Sequence, residues 1–441
     1  MRSATFPPAY PAPVAIPDDR LRTARVPGRS APAYARRSAV PSPGDWLLAL
    51  YYTAALFGFG LVSFMPSMLG TQSRPISIGY HVLILVAGLT VLLTRPTPFR
   101  ARRSLGFAAF AVFWILYSAR MINDLLIRDM VMARPKEMYW TMAFGVCVIP
   151  ALTFFETLKP DEYATQLRVV WIFLILTCVA AIVVDLPHLT SRDGRLAGND
   201  TFNPIDLGHI GVSLAVLGIC ALVRKKAPLL RNVIPSALAA LLGLAVMLLA
   251  GSRSPLVALI VCLCVIVATH IKQRRIVLIV AIILVGIALL PYAVDNLTSA
   301  GGSLVGRVNY LQSRSNVQSD IRSTLWGYAW QHFLERPVFG TSIDLPEGGY
   351  PHNILLEAFL STGAAGGGLV LFMMVHGLIR SYWLIRQDER RMWLALFYMQ
   401  YLVLGLFSGA LYDNWMFWCL YAAVISSTES LKRGRRGVRR R

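Results

Sequence analysis

The sequence predicts an all-α, polytopic membrane protein with about twelve transmembrane helices. Three observations carry this expectation. The chain of 441 residues is 56% hydrophobic and only 15% charged, whereas soluble domains carry roughly a quarter charged residues. Its mean hydropathy is +0.55. Apolar runs recur along the chain after residue 45, each near the ~20 residues a helix needs to cross the ~30 Å hydrocarbon core. A soluble enzyme is excluded, and the core is the helical bundle itself.

Taken in order, residues 1–45 are rich in proline and arginine and hold no apolar run, which predicts a disordered cytoplasmic tail. No signal peptide precedes the first span, so insertion is expected to start from that span. Spans are expected at 46–66, 76–94, 105–120, 139–155, 169–186, 205–223, 233–250, 255–271, 276–294, 354–379, 392–409 and 413–427. The last is short, so eleven crossings are the alternative. Twelve place both termini on one side, together with roughly three-quarters of the 43 Lys and Arg residues, and the positive-inside rule makes that side the cytoplasm. The resulting organisation is a tail (1–45), spans one to nine (46–294), a large periplasmic loop (295–351), spans ten to twelve (352–427) and a basic cytoplasmic tail (428–441).

The excess of 43 positive over 23 negative residues is therefore read as topology signal and attraction to anionic lipid, not as a nucleic-acid surface. All six cysteines fall within predicted spans, which excludes an external disulfide framework. The seven histidines show no HExxH or paired spacing, so neither a metal nor a cofactor is expected.

Three outer features carry chemistry. The first is Gly251-Ser252-Arg253-Ser254-Pro255, the whole connection between two apolar spans. Arg253 there is either an anion ligand, since a guanidinium stays charged and grips two phosphate oxygens, or a side chain snorkelling to headgroups. The second lies in the loop at 295–351, far longer than a connection needs. Ser319-Asp320 begins a helix that ends near Arg336-Pro337, with Ile321, Leu325, Ala329 and Phe333 along one face. This reads as an amphipathic helix lying on the outer surface. Beside that face run Arg322, Trp326 and Trp330, either a phosphate clamp with a sugar-stacking surface or an interfacial helix with headgroup-level tryptophans. The third is His352-Asn353 after Pro351, where the loop re-enters the membrane. This imidazole either takes a proton from a hydroxyl at neutral pH or is a satisfied interfacial histidine. The small residues Gly363 to Gly368 permit a broken helix beside a cavity.

In this order the three pieces resemble the O-antigen ligase and Wzy-type polysaccharide polymerase superfamily. The resemblance rests on Gly251-Ser252-Arg253-Ser254, on the Arg322 helix ending in Arg336-Pro337-Val338-Phe339-Gly340, and on His352-Asn353 followed after nine residues by Gly363-Ala364-Ala365-Gly366. The stretch Gly198 to Gly208, with Asn203-Pro204 inside it, is similar to a G-x-F-x-N-P-N-x-x-G segment of the family. The overall layout is similar to its exopolysaccharide production proteins.

The resemblance implies a GT-C-like, metal-independent, inverting glycosyltransferase of the bacterial inner membrane, with its active site on the periplasmic face. Its donor would be an undecaprenyl-diphosphate-linked oligosaccharide and its acceptor a glycan hydroxyl. By matching positions, Arg253 and Arg322 would bind the diphosphate and His352 would act on the acceptor hydroxyl; Arg195, with Arg192 as the alternative, would be a further diphosphate ligand, and Asn353, Asn203 and Trp326, the last where ligases often carry leucine, are expected to position substrate. Membrane lipids and a polysaccharide chain-length regulator are the remaining expected partners. Polymerisation of exopolysaccharide or O-antigen repeat units is the favoured activity, and ligation to lipid A core or protein is the alternative. A lipid-linked sugar flippase is a third reading, disfavoured because the spans are nearly free of the buried ionisable pairs that ion coupling uses.

Overall fold

The computed structural model describes residues 41–95, 104–156, 160–186, 196–197, 202–223, 229–270 and 321–439. Its regular elements are helices. Eight are long and apolar enough to cross a membrane among the described residues: α1 (Pro43–Val62), α2 (Ser73–Thr94), α3 (Leu105–Ile127), α4 (Lys136–Phe154), α5 (Glu162–Asp185), α6 (Pro204–Val223), α8 (Arg253–His270) and α10 (Ile354–Gln387). Two shorter apolar helices, α7 (Val233–Leu249) and α11 (Met392–Ser408), join them, with α9 over residues 321–335 and α12 (Trp415–Arg439). The chain is a polytopic helical membrane protein. The ninth predicted span, 276–294, lies outside the described residues.

Helix ends differ from the predicted ones for local reasons. Helix α1 starts at Pro43 rather than 46, because Ser42 and Asp45 form a reciprocal capping box and proline at the first helical position has no amide to leave unsatisfied. Helix α12 does not stop at 427 but continues through the basic run to Arg439. Its Glu429 meets Lys432 at 3.1 Å and Arg380 of α10 at 3.6 Å.

Packing separates an inner set of helices from a peripheral one. Residues 392–405 of α11 are all buried. Helix α3 brings Phe110, Phe113 and Trp114 against Trp418 of α12, with Phe113 and Trp418 stacked 5.4 Å apart. Helices α6 and α7 approach closely through Gly211 and Gly243: a Cβ on either would lie within 2.5 Å of the other's carbonyl oxygen. Helix α2 exposes Ile78, Val82, Leu83, Val86 and Leu93, the pattern of a lipid-facing helix.

The helix expected on the outer surface is present as α9, but its apolar face is turned onto protein. Ala329 and Phe333 are buried, Ala329 against Leu345 and Leu360, and Phe333 with its ring centroid 5.1 Å from that of Phe359. Ile321 and Trp330 remain exposed. Period-four spacing gives the face; what covers it is decided by the first turns of α10 folding beneath.

Candidate functional site

The site is built around a break in α10. Gly363 has φ 65° and ψ −160°, a backbone region essentially restricted to glycine. The break frees carbonyls one turn earlier, and the loop after α9 takes them. The Thr341 amide donates to the Leu360 carbonyl (2.8 Å), and the Ala364 amide donates back to the Pro337 carbonyl (2.7 Å). Arg120 of α3 completes the joint. Its Nε donates to the Ser361 carbonyl (2.8 Å), and its terminal nitrogens donate to those of Phe339 (2.6 Å), Gly340 (2.9 Å) and Thr341 (3.1 Å). Buried Asp124 lies 3.6 Å from Arg120 and accepts from the Ile343 amide at 2.9 Å. The Arg336–Gly340 run and the His352…Gly363 run are thus two halves of one lock.

The half-helix from 354 to the break carries the site residues at its outer end. Asn353 is its N-cap, accepting from the amides of Leu355 (3.0 Å) and Leu356 (3.1 Å). His352 precedes it at φ 53°, the left-handed region that histidine enters more readily than most residues. Trp326 of α9 donates from its indole nitrogen to the Pro351 carbonyl at 2.8 Å. Its polar edge therefore holds the peptide next to His352. Tyr350 lies against the imidazole, with ring centroids 4.2 Å apart.

A cavity of about 280 Å³ opens beside these residues. His352 and Arg322 line it together, with Asn203 and Asp206 from the start of α6, Arg134 from the α3–α4 connection, and Asp413 from the turn between α11 and α12. Aromatic walls come from Phe202, Tyr350, Tyr401 and Trp415. Asn203 is engaged there with Asp206, donating from Nδ2 to Oδ2 at 2.7 Å and accepting its amide at 2.9 Å. Burial, then Arg322 and Arg134, push His352 down to about 4, so its imidazole is neutral at neutral pH. Burial pushes Asp413 up to about 6 against the pull of Arg134.

Three residues expected at the site, His352, Arg322 and Asn203, therefore share one cavity. Asn353 and Trp326 support that wall from behind. Arg253 is exposed at the first position of α8 and is not on the cavity wall. Its neighbour Ser254 meets His209 of α6 at 3.3 Å. Arg195 lies outside the described residues. Sequence reasoning did not single out Arg134 or Asp413. The available signal was that each sits immediately outside a span, on the face that carries few charges.

A second polar cluster fastens α9 to the same loop. His332 Nε2 meets Glu347 at 2.9 Å, and its Nδ1 meets Glu335 at 3.2 Å. Burial opposes protonation of His332, but the two carboxylates outweigh it and raise the imidazole above its ordinary value, while His332 holds Glu347 below its own. A raised histidine contributes stability that is complete below about 6.5 and fades as pH rises through the folded value. The melting temperature in detergent is therefore expected to fall between pH 6.5 and 8.5. The His332→Gln variant should lack that part of the decline. An identical pH dependence in both proteins would show that the clasp does not form.

Residues 238–371 match the profile of the O-antigen ligase family. That span runs from α7 across the break in α10, taking in Arg253, Arg322, His352 and Gly363. No curated protein matches the chain. The family implies a lipid-linked glycan and an acceptor as substrates in a membrane. Over residues 238–371, under a third of its length, the chain is thus similar to the O-antigen ligase family.

Proposed function

We propose that this protein is an inverting glycosyltransferase that moves a glycan from undecaprenyl diphosphate to an acceptor hydroxyl, polymerising exopolysaccharide or O-antigen repeat units. The observation that carries the reading is the meeting of Arg322 and a neutral His352 on one cavity wall. Transfer breaks the bond between the anomeric carbon and the diphosphate oxygen and forms one to the acceptor oxygen. Negative charge builds on the leaving diphosphate, and a guanidinium fixed in a partly desolvated cavity stabilises it. The acceptor loses a proton as it attacks from the opposite face, and the neutral imidazole is the group that takes or orients it. The resemblance also assigns Arg253 and Arg195 to the diphosphate, but Arg253 does not line this cavity and Arg195 lies outside the described residues, so the reading rests on Arg322 and His352. The aromatic wall suits sugar faces, each ring offering an apolar surface. On this reading both termini face the cytoplasm of a bacterial inner membrane and the cavity faces the periplasm, as the charge bias requires.

The match to a ligase family favours a second reading, transfer to lipid A core. One experiment separates the two. The purified protein is incubated with a lipid-diphosphate-linked repeat unit alone, then with added lipid A core, and the glycans are resolved by size. A ladder from the first mixture that vanishes with Arg322→Ala establishes the polymerase. Product in the second mixture only makes it a ligase, and no product from either refutes both.

A further inference from the structure

The cavity holds a guanidinium to which the family pattern gives no role. Arg134 belongs to the connection between α3 and α4, which is tied to the loop bearing His352. The Ala133 amide donates to Asp344 at 3.0 Å, Tyr139 donates its hydroxyl to the same carboxylate, and Lys136 donates to the Leu125 carbonyl at 3.2 Å. Asp344 lies in the segment leading to Tyr350 and His352, so Arg134 and His352 are mounted on one fastened block. The side chain of Arg134 is half-buried, faces the Tyr350 hydroxyl and Asp413, and acts electrostatically on His352 as Arg322 does. The backbone around it is braced, one terminal nitrogen of the guanidinium meets the Met138 sulfur at 3.9 Å, and the residue lines the cavity.

Arg134 and Arg322 line one cavity with His352, where Asp206 and Asp413 also stand, so the wall offers two cationic grips whose neighbouring carboxylates a more highly charged anion would displace. One guanidinium suffices to grip one phosphoryl group bidentately. A diphosphate presents two. We infer that Arg134 is a diphosphate ligand, taking one phosphoryl group of the lipid carrier while Arg322 takes the other, with His352 beside both. The inference rests on the reading of this cavity as the diphosphate site. It also gives the acidic wall a part: Asp413 attracts Arg134 electrostatically and would compete for it with the more highly charged diphosphate. A bound diphosphate then offsets the two positive charges that keep protons off His352, so the imidazole becomes the stronger base only when donor is present.

The test compares undecaprenyl diphosphate with undecaprenyl monophosphate, titrated into the full-length protein in detergent and read by tryptophan fluorescence. The wild type should bind the diphosphate more tightly by tenfold or more, the order expected for one charge-assisted pair. Arg134→Gln, which keeps a hydrogen-bonding group near Tyr350, should lose most of that preference while binding monophosphate nearly as before. Arg134→Lys should recover part of it. If Arg134→Gln retains wild-type preference while Arg322→Ala loses it, the inference is overturned and the site reading stands. If the wild type shows no preference and Arg322→Ala changes nothing, the site reading fails as well. Circular dichroism of each variant confirms folding, and the Arg134→Lys comparison stands if the glutamine variant does not fold.

Discussion

Gly363→Ala is expected to destabilise the protein by about 2–6 kcal/mol and to abolish transfer. Two separate costs add. The backbone at φ 65° and ψ −160° costs a residue with a side chain roughly 1–3 kcal/mol. A Cβ at this position would also sit 2.4 Å from both the carbonyl carbon and oxygen of Val338, and overpacking a tight contact costs about 1–3 kcal/mol more. Backbone atoms do not step aside as a flexible side chain does. Relief comes only by straightening α10, which withdraws the Leu360 and Ser361 carbonyls from Thr341 and Arg120. His352, just ahead of the N-cap of the same half-helix, then loses its place beside Arg322 on the cavity wall. Gly368→Ala provides the contrast. Its new methyl group would meet nothing within 4 Å, so its melting temperature should fall by less than half as much. Differential scanning fluorimetry and the transfer assay together check the pair. Equal losses in the two variants would mean that the break at Gly363 is not what holds the site.

The same pair shows what was legible in the sequence. Hydropathy and the distribution of charge give a helical membrane protein, since each span must satisfy its backbone internally. The order of Arg322, Arg336-Pro337 and His352-Asn353 marks the site, and the structure places His352, Arg322 and Asn203 on one cavity. The roles of the neighbouring residues are tertiary. Asn353 is a helix cap and Trp326 a bolt on the Pro351 carbonyl, facts that follow from where α10 begins and not from residue type. Arg120 reads in the sequence as a cation at the end of a span, yet it donates to four carbonyls of two distant segments. Arg134 and Asp413 reach the cavity from separate connections, more than 200 residues apart in sequence. No periodicity links such positions. Their shared signal is only that a charge stands at a membrane boundary, a description that equally fits a headgroup contact.

The second large effect is expected at His352, and it separates two roles that residue type alone leaves open. A general base contributes about 100- to 10,000-fold, so His352→Ala should reduce kcat by that order with little change in donor KM. Stability should fall only modestly, because the side chain lines a cavity, although alanine enters the φ 53° region less readily than histidine does. His352→Gly, which enters that region freely, should be at least as stable as the alanine variant. His352→Gln keeps a hydrogen-bonding group but accepts no proton at neutral pH. If the imidazole removes the acceptor proton, the glutamine variant is as inactive as alanine; if it only orients the hydroxyl, glutamine restores a substantial part of the rate. The pH profile supplies a check that no purely structural role would satisfy. Burial and the two guanidinium groups hold the free imidazole down to about 4, and activity that needs its neutral form is lost only as pH falls through that value. At limiting donor, kcat/KM should therefore stay level from pH 8 down to about 5, where a solvent-exposed histidine would already have lost activity below about 6.5. At saturating donor the diphosphate offsets the positive charge, and the acid limb of kcat should move to higher pH. A single limb near 6.5 in both profiles would place the proton acceptor elsewhere, and Asp413, raised to about 6 in the same cavity, would be the residue to replace next.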